Sequence, residues 1–152
     1  MRIALAHGLH RRSAPYQNLS PHVHENNVRI WWTTYFIERS MELLLGRPPQ
    51  IRDDDIDAEM PAEHEGFPSP EGLIAHAGLA TVMGQIVSDV YRTRRRNKED
   101  VDETLLSLTG WKATLPASLQ INYDEPLLVV PSRSILLLHL MYNQVSSSSW
   151  FC

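Results

Sequence analysis

The stretch Asp53–Asp57 holds four aspartates in five residues and is the part of this chain best suited to metal chemistry. Clustered carboxylates are the oxygen ligands that magnesium and calcium prefer. A calcium loop beginning at the first aspartate is excluded, because Ala58 stands where the loop requires glycine and His64 where it requires glutamate. Two interpretations remain open: a magnesium site, or a solvated acidic turn paired with Arg47 and Arg52.

The magnesium interpretation would make the protein an enzyme. Asp53–Asp57 matches the D-D-x-x-D pattern that, in all-α isoprenoid synthases, binds magnesium and pyrophosphate. That chemistry needs the motif on a helix that lines a cavity, whereas here it lies between Pro49 and Pro61, and no second Asn/Asp–Ser/Thr–Glu metal motif follows. We therefore favour the acidic turn, assign no catalytic, cofactor-binding or metal residue, and keep an isoprenoid-synthase-like enzyme using magnesium as the alternative.

The seven histidines could suggest a zinc site. His7 and His10 are three residues apart, and His22 and His24 are two apart in the first turn of a predicted helix, where they face different directions. There is no H-E-x-x-H pattern, and the single cysteine is Cys152. The histidines are predicted to be surface or capping residues rather than metal ligands.

A basic run over Arg92–Lys98 would suit a nuclear-localisation signal or a phosphate-binding patch. Acidic residues follow it at once, so it also suits the end of one helix balanced by the start of the next. The net charge of −4 gives no general electrostatic case for binding nucleic acid. Neither a G-x-S-x-G elbow nor a glycine-rich phosphate loop is present, so nothing here predicts an enzyme of those classes.

The main predicted helix runs over Pro21–Leu45. Ser20 suits its N-cap, Pro21 its first position, and Gly46 the left-handed position after its end. Glu25 and Arg29 are four residues apart and can pair. Its apolar residues cover much of the circumference, which predicts a central helix that the others surround. They are Val28, Ile30, Trp31, Trp32, Tyr35, Phe36, Ile37, Met41, Leu43, Leu44 and Leu45.

Four further helices are predicted from apolar residues three and four apart. They lie within Met1–His10, ending near Gly8, from Glu71 to about Arg94, around Val101–Trp111, and from Ser132 or Ser134 through Val145. Long proline-rich loops join them, and in the first loop Ile51, Ile56, Met60 and Phe67 are spaced as anchors. Leu127–Val130 could be a short extended piece. The pattern predicts one all-α bundle of about five helices within 152 residues.

Three groups of residues in this order resemble the fungal-specific transcription factor domain, the regulatory or middle homology region of fungal binuclear zinc-cluster transcription factors. They are R-I-W-W-T-T-Y-F-I-E-R at Arg29–Arg39, L-G-R-P at Leu45–Pro48, and I-x-D-x-D-I-D-x-E-x-P at Ile51–Pro61. G-L-H-R at Gly8–Arg11 and L-H-L-M-Y at Leu138–Tyr142 also look like family segments. Glu38 departs from the family's more usual aspartate but keeps the charge.

The resemblance implies a nuclear, non-enzymatic domain that regulates transcription. It implies that full-length relatives bind DNA through an N-terminal six-cysteine cluster that holds two zinc ions. This chain has no such cluster, so no cofactor is expected in it and DNA binding would depend on a domain that it lacks. A second copy of the chain and transcriptional co-regulators are the partner classes that the resemblance suggests; no membrane is implied.

Residues 1–152 are expected to be part of one such regulatory domain rather than all of it. Ile3, Leu5 and Leu9 give an apolar face to a helix that has no capping residue ahead of it. After Leu138–Tyr142 the family helix continues through apolar residues, whereas here a serine run and Trp150 follow. We therefore expect uncovered apolar surface at both ends.

Overall fold

The computed structural model describes residues 1–12, 19–92, 98–123 and 130–147. These residues form five α-helices and two short 3₁₀ turns, and they contain no β-strand. The all-α prediction with five helices is confirmed. The helices are α1 (Arg2–Ala6), α2 (Pro21–Leu45), α3 (Glu71–Arg92), α4 (Lys98–Ala113) and α5 (Arg133–Ser147), and the 3₁₀ turns are Asp53–Asp55 and Ala117–Leu119.

The ends of α2 follow from the residues that cap it. The Ser20 hydroxyl accepts a hydrogen bond from the Val23 amide at 3.4 Å, and Pro21 occupies the first helical position. At the other end Gly46 has φ 59°, the left-handed conformation that glycine adopts without a steric penalty. The predicted bounds of this helix are confirmed.

The centre of the bundle is α3, not α2 as predicted from the sequence. α3 packs against α2, α4 and α5. Its small residues permit this close packing: the Trp111 ring of α4 lies about 3.0 Å from where a Cβ on Gly78 would be, and its Nε1 donates to the Ala75 carbonyl at 3.1 Å. A helix with so little side-chain bulk can have neighbours on several sides.

The apolar residues of α2 divide between a buried and an exposed face. Trp31, Trp32, Tyr35, Phe36, Val28 and Leu43 are buried. The prediction of an encircled helix is wrong for five others, which are about half exposed: Ile30, Ile37, Met41, Leu44 and Leu45. Among the described residues α3 is the helix packed extensively against α2, and these five side chains lie where that packing leaves them partly exposed.

Some smaller predictions also need correction. Met60 is exposed, so it does not anchor its loop, whereas Ile51 is buried as predicted. The Ser132 hydroxyl caps α5 by accepting from the Ile135 amide at 3.4 Å. The serine run does not stop α5 at once, because Ser146 and Ser147 are helical and bond back to the Asn143 carbonyl.

Three predicted features fall wholly or mostly outside the described residues. They are the basic run over 92–98, the extended piece over 127–130, and the terminal aromatic pair at 150–151. None of the helices in the described ranges is long and apolar enough to cross a membrane.

Candidate functional site

Residues 46–70, called the strap below, run back along α2 and are fastened to it by polar side chains. These side chains recur at three- and four-residue spacings, so they share one face of the helix. They belong to Glu25, Arg29, Trp32, Tyr35, Arg39 and Glu42. The strap is therefore held by a ladder of contacts rather than by an apolar core of its own.

Arg39 is the best-connected residue of this ladder. Its guanidinium is almost fully buried and donates to Glu42 at 2.7 Å, to the Ile51 carbonyl at 2.8 Å and to Asp53 Oδ1 at 2.6 Å. The Tyr35 hydroxyl donates to the same Asp53 oxygen at 2.8 Å, and the guanidinium lies 4.9 Å from the centre of the Tyr35 ring. A buried cation is tolerated only with such partners.

The protonation states at this cluster follow from burial and contacts. Burial raises the pKa of Tyr35 above its ordinary value, so its hydroxyl keeps its proton and can donate to Asp53. Burial alone lowers the pKa of Arg39, but contacts with Tyr35, Glu42 and Asp53 outweigh this effect and raise it overall. Arg39 is thus a permanent cation that holds the strap.

A second group of side chains fastens the far end of the strap. Glu25 pairs with Arg29, as predicted, and also accepts from the Ala62 amide at 3.2 Å. Arg29 donates to the Ala62 carbonyl at 2.9 Å and to the Pro68 carbonyl at 2.8 Å. Between the two groups, Trp32 Nε1 donates to the Glu59 carbonyl at 2.7 Å. Trp32 is buried, so its ring packs in the core while its Nε1 holds the strap.

The N-terminal segment also meets the strap. The His10 carbonyl accepts from the amides of Asp57 and Ala58, both at 3.1 Å, and the Arg12 amide donates to Asp57 Oδ1 at 2.9 Å. The His10 ring packs against Trp31. His10 lies in the G-L-H-R segment, so three of the segments that matched the family come together at this face of α2.

The acidic stretch has a different role from the one that its composition suggests. Asp53 accepts from Arg39 and Tyr35, which the sequence analysis did not pair with it. Arg52 lies 3.2 Å from Asp54, as expected, but the 84% exposure of the Asp54 side chain makes this a weak surface pair. The predicted contact between Arg47 and the Asp53–Asp57 stretch is not found among the described residues. In the described ranges, no three histidine, cysteine or acidic side chains are grouped to hold a metal ion.

A cavity of about 770 Å³ lies between α2, α3, α5 and the end of the strap. Phe36, Ile37, Leu73, Ile135 and Leu137 supply much of its apolar wall. His76 lines it as well and is only 6% exposed; its ring meets the Phe36 ring edge to face, with centres 4.6 Å apart. A cavity of this kind is the usual form of a small-molecule site.

The sequence analysis placed the histidines at the surface, which is wrong for His76 and His139. Both are buried. His139 Nε2 donates to the Leu119 carbonyl at 2.8 Å, so its Nδ1 accepts from the Tyr123 hydroxyl at 3.0 Å. The position of His76, three residues after Leu73 and four before Ala80 on the apolar stripe of α3, was the signal that would have predicted its burial.

Comparison with known proteins agrees with the arrangement around α2. The family model described as "Fungal specific transcription factor domain" matches residues 1–113, which include α1, α2, the strap, α3 and α4. No solved structure matches this chain.

The similar curated proteins are fungal regulators. An uncharacterized transcriptional regulatory protein of Schizosaccharomyces pombe is 31% identical over 95% of this chain and 22% of its own length. Activator of stress genes 1 of Saccharomyces cerevisiae is 27% identical over 95% of this chain and 17% of its own. Cutinase transcription factor 1 alpha of Fusarium vanettenii is 30% identical over 75% of this chain and 14% of its own.

The chain thus spans about a fifth of the length of the curated relatives it matches. Three of the segments that matched the family on sequence build α2 and its strap, G-L-H-R meets the strap, and L-H-L-M-Y lies in α5. The family model covers about three quarters of the chain. This chain belongs to the fungal-specific transcription factor domain family.

Proposed function

We propose that this domain acts in the nucleus as a non-enzymatic regulatory part of a longer fungal transcription factor. DNA binding would come from a separate zinc cluster with two zinc ions, as the family resemblance implies, and not from the residues of this chain. The net charge of −4 supports this division, because a DNA-binding surface needs cations to neutralise phosphates.

The observation that carries the proposal is the fastening of the strap to α2. The residues through which the chain resembles regulators are used to hold a scaffold together: Arg39, Trp32 and Asp53 bond to one another or to the backbone. Asp53, the residue on which the isoprenoid-synthase alternative depends, is already engaged by a cation and a hydroxyl. The family identification gives no support to that alternative.

The proposed partners are proteins, either a second copy of the chain or transcriptional co-regulators. Regulation can be tested by inserting residues 1–152 between a heterologous DNA-binding domain and an activation domain that drive a reporter gene. We expect the insertion to change reporter output and Arg39→Ala to abolish the change, since it releases the strap. Arg52→Ala is the matched control, because that side chain is 81% exposed. Equal output with and without the domain would contradict a regulatory role.

A separate titration addresses the enzyme alternative. We expect calorimetry to detect no micromolar binding of magnesium, with or without pyrophosphate. Magnesium binding that is present in the natural chain and lost in Asp53→Asn would support the isoprenoid-synthase alternative.

A further inference from the structure

The cavity between α2, α3 and α5 has the size of a small-molecule site. Its volume of about 770 Å³ falls within the range of roughly 300–1,000 Å³ that is typical of pockets for drug-sized molecules. Residues of three helices supply its apolar wall, so the packing of the bundle defines the space.

The charged groups of the cavity already have partners. The Arg29 guanidinium bonds to Glu25 and to two strap carbonyls, and Glu71 accepts from the Ser118 hydroxyl at 2.9 Å. The polar residues Asn26, Thr33 and Ser134 lie at the exposed rim. A ligand inside would therefore find no unpaired cation, and the exposed carboxylate of Glu71 at the rim disfavours an anion.

Among the polar residues that line the cavity, His76 is the buried one with a ring nitrogen left unpaired by the described residues. Its Nδ1 lies 2.7 Å from the Gly72 carbonyl, which can only accept, so Nδ1 carries the proton. Its Nε2 has no hydrogen-bond partner among the described residues. In that part of the chain, the enclosed side-chain atoms without a partner are His10 Nδ1, Trp31 Nε1 and Arg39 Nε. Nε2 is not one of these enclosed atoms, and His76 lines the cavity.

The available atom is a hydrogen-bond acceptor. Burial lowers the pKa of His76 below its ordinary value, which keeps the ring neutral near pH 7. In the tautomer fixed by Gly72, Nε2 presents a lone pair. The cavity therefore offers one buried acceptor within apolar walls, and leaving such a group unpaired is costly once water has been displaced.

We propose that this cavity binds a small neutral molecule with an apolar body and one hydroxyl group, which donates a hydrogen bond to His76 Nε2. The apolar body would lie against Phe36, Leu73, Ile135 and Leu137. This inference concerns binding by the domain itself and goes beyond the proposed role in transcription. It can fail or succeed whatever the reporter experiment shows.

The test uses two probes that share an apolar body, 2-naphthol and 2-methoxynaphthalene, of which only 2-naphthol has a hydroxyl donor. Calorimetry on the full chain at neutral pH would compare their affinities. We expect 2-naphthol to bind about five- to tenfold more tightly, the ratio that one net hydrogen bond supplies. In ¹⁵N spectra of the histidine rings, 2-naphthol should shift the Nε2 resonance of His76.

Three variants make the test specific. His76→Phe should keep binding of 2-methoxynaphthalene and reduce the preference for 2-naphthol to about one, because phenylalanine has a ring without an acceptor. Leu137→Trp should weaken both probes by filling the cavity. Leu106→Trp is its matched control on α4, since Leu106 is 71% exposed and lies outside the cavity, and it should bind both probes normally.

Two results would overturn the proposal. One is an unchanged His76 Nε2 resonance at saturating 2-naphthol, which is measured on the natural chain and does not depend on any variant folding. The other is equal affinity for the two probes in the natural chain, which would show that the hydroxyl finds no acceptor.

Discussion

The guanidinium of Arg39 lies where a side chain on Gly84 would begin. A Cβ at position 84 would be 2.9 Å from Arg39 Nε and 3.2 Å from its Cδ. Since Arg39 is buried and bonded to Glu42, Ile51 and Asp53, it has little freedom to move aside. The close approach of α3 to α2 at this point therefore depends on a residue without a side chain.

Gly84→Ala should destabilise the domain because the methyl group would displace the Arg39 side chain. Overpacking of this kind costs about 1–3 kcal/mol, and the better helix propensity of alanine offsets at most about 1 kcal/mol of that cost. Gly110→Ala is the matched control: position 110 lies in α4 with open space around it, and alanine is the better helix former, so a gain of about 0.5–1 kcal/mol is expected. Urea denaturation measures both. A neutral Gly84→Ala would show that Arg39 can relax.

Removing the cation at position 39 should cost more than removing one of its acceptors. Arg39→Ala leaves the buried carboxylate of Glu42 without its cation, at a cost of about 3–5 kcal/mol. Asp53→Asn should cost about 1 kcal/mol, because its side chain is 38% exposed and solvent screens the loss. Asp54→Asn, at the exposed neighbour, should be within about 0.5 kcal/mol of the natural chain. Denaturant melts of the three variants test this order of stability losses. A larger loss for Asp53→Asn than for Arg39→Ala would contradict the prediction.

Trp32→Ala should cost about 3–5 kcal/mol, since it removes a buried ring and the donor to the Glu59 carbonyl. Trp32→Phe separates the two effects: it keeps much of the volume and loses the hydrogen bond, so a smaller loss is expected. Free energies of unfolding from urea melts decide. A loss below about 1 kcal/mol for Trp32→Ala would mean that the ring is not part of the packed core.

Burial of His76 predicts a pH-dependent loss of stability. Its pKa is lowered in the folded chain, so between the unfolded value of about 6.5 and that lower value the unfolded state binds more protons. Stability should therefore be complete above about pH 6.5 and should fall as the pH drops toward the folded pKa. His76→Phe removes this contribution. As the pH is lowered from 7.5 to 5, the free energy of unfolding of His76→Phe should therefore increase relative to that of the natural chain. Parallel pH profiles for the two chains would argue against a buried neutral ring.

Exposed apolar residues on α2 and α5 should make the isolated chain self-associate. Ile37, Met41 and Leu44 on α2, and Leu136 and Leu140 on α5, are each at least 41% exposed. Light scattering coupled to size exclusion should give a mass above the 17.4 kDa of one chain, and Met41→Lys with Leu44→Glu should lower it. Leu106→Lys, at an exposed site on α4, is the control and should leave the mass unchanged. A monodisperse 17.4 kDa species with one cooperative melt would refute the expectation of uncovered surface.

The bounds of α2 were predictable because they are set by local residues. Ser20, Pro21 and Gly46 act within one turn of the helix end, so their effect can be derived from sequence alone. The polar ladder was not predictable in the same way, because Arg29, Trp32 and, in one of its bonds, Arg39 donate to strap carbonyls. Every residue has a backbone carbonyl, so the sequence does not show which one accepts the hydrogen bond.

The exposed face of α2 and the cavity were missed for a further reason. The sequence shows that Ile37 is apolar but not whether a neighbour covers it, since that depends on where α3 and α5 lie. Gly78 beside Trp111 shows that the small residues of α3 permit close approach. That same property makes α3 rather than α2 the centre, a consequence of packing that periodicity alone does not reveal.

The ladder between α2 and its strap also sets a length. Asp53 meets Arg39 and Glu59 meets Trp32, two positions that are seven helical residues and about 10 Å apart along the axis. Deleting or inserting one residue between Asp53 and Glu59 would shift the chain by about 3.3 Å, so only one of the two bonds could keep its register. An insertion or deletion between Asp53 and Glu59 is therefore expected to break one of these two bonds, whichever residue it adds or removes.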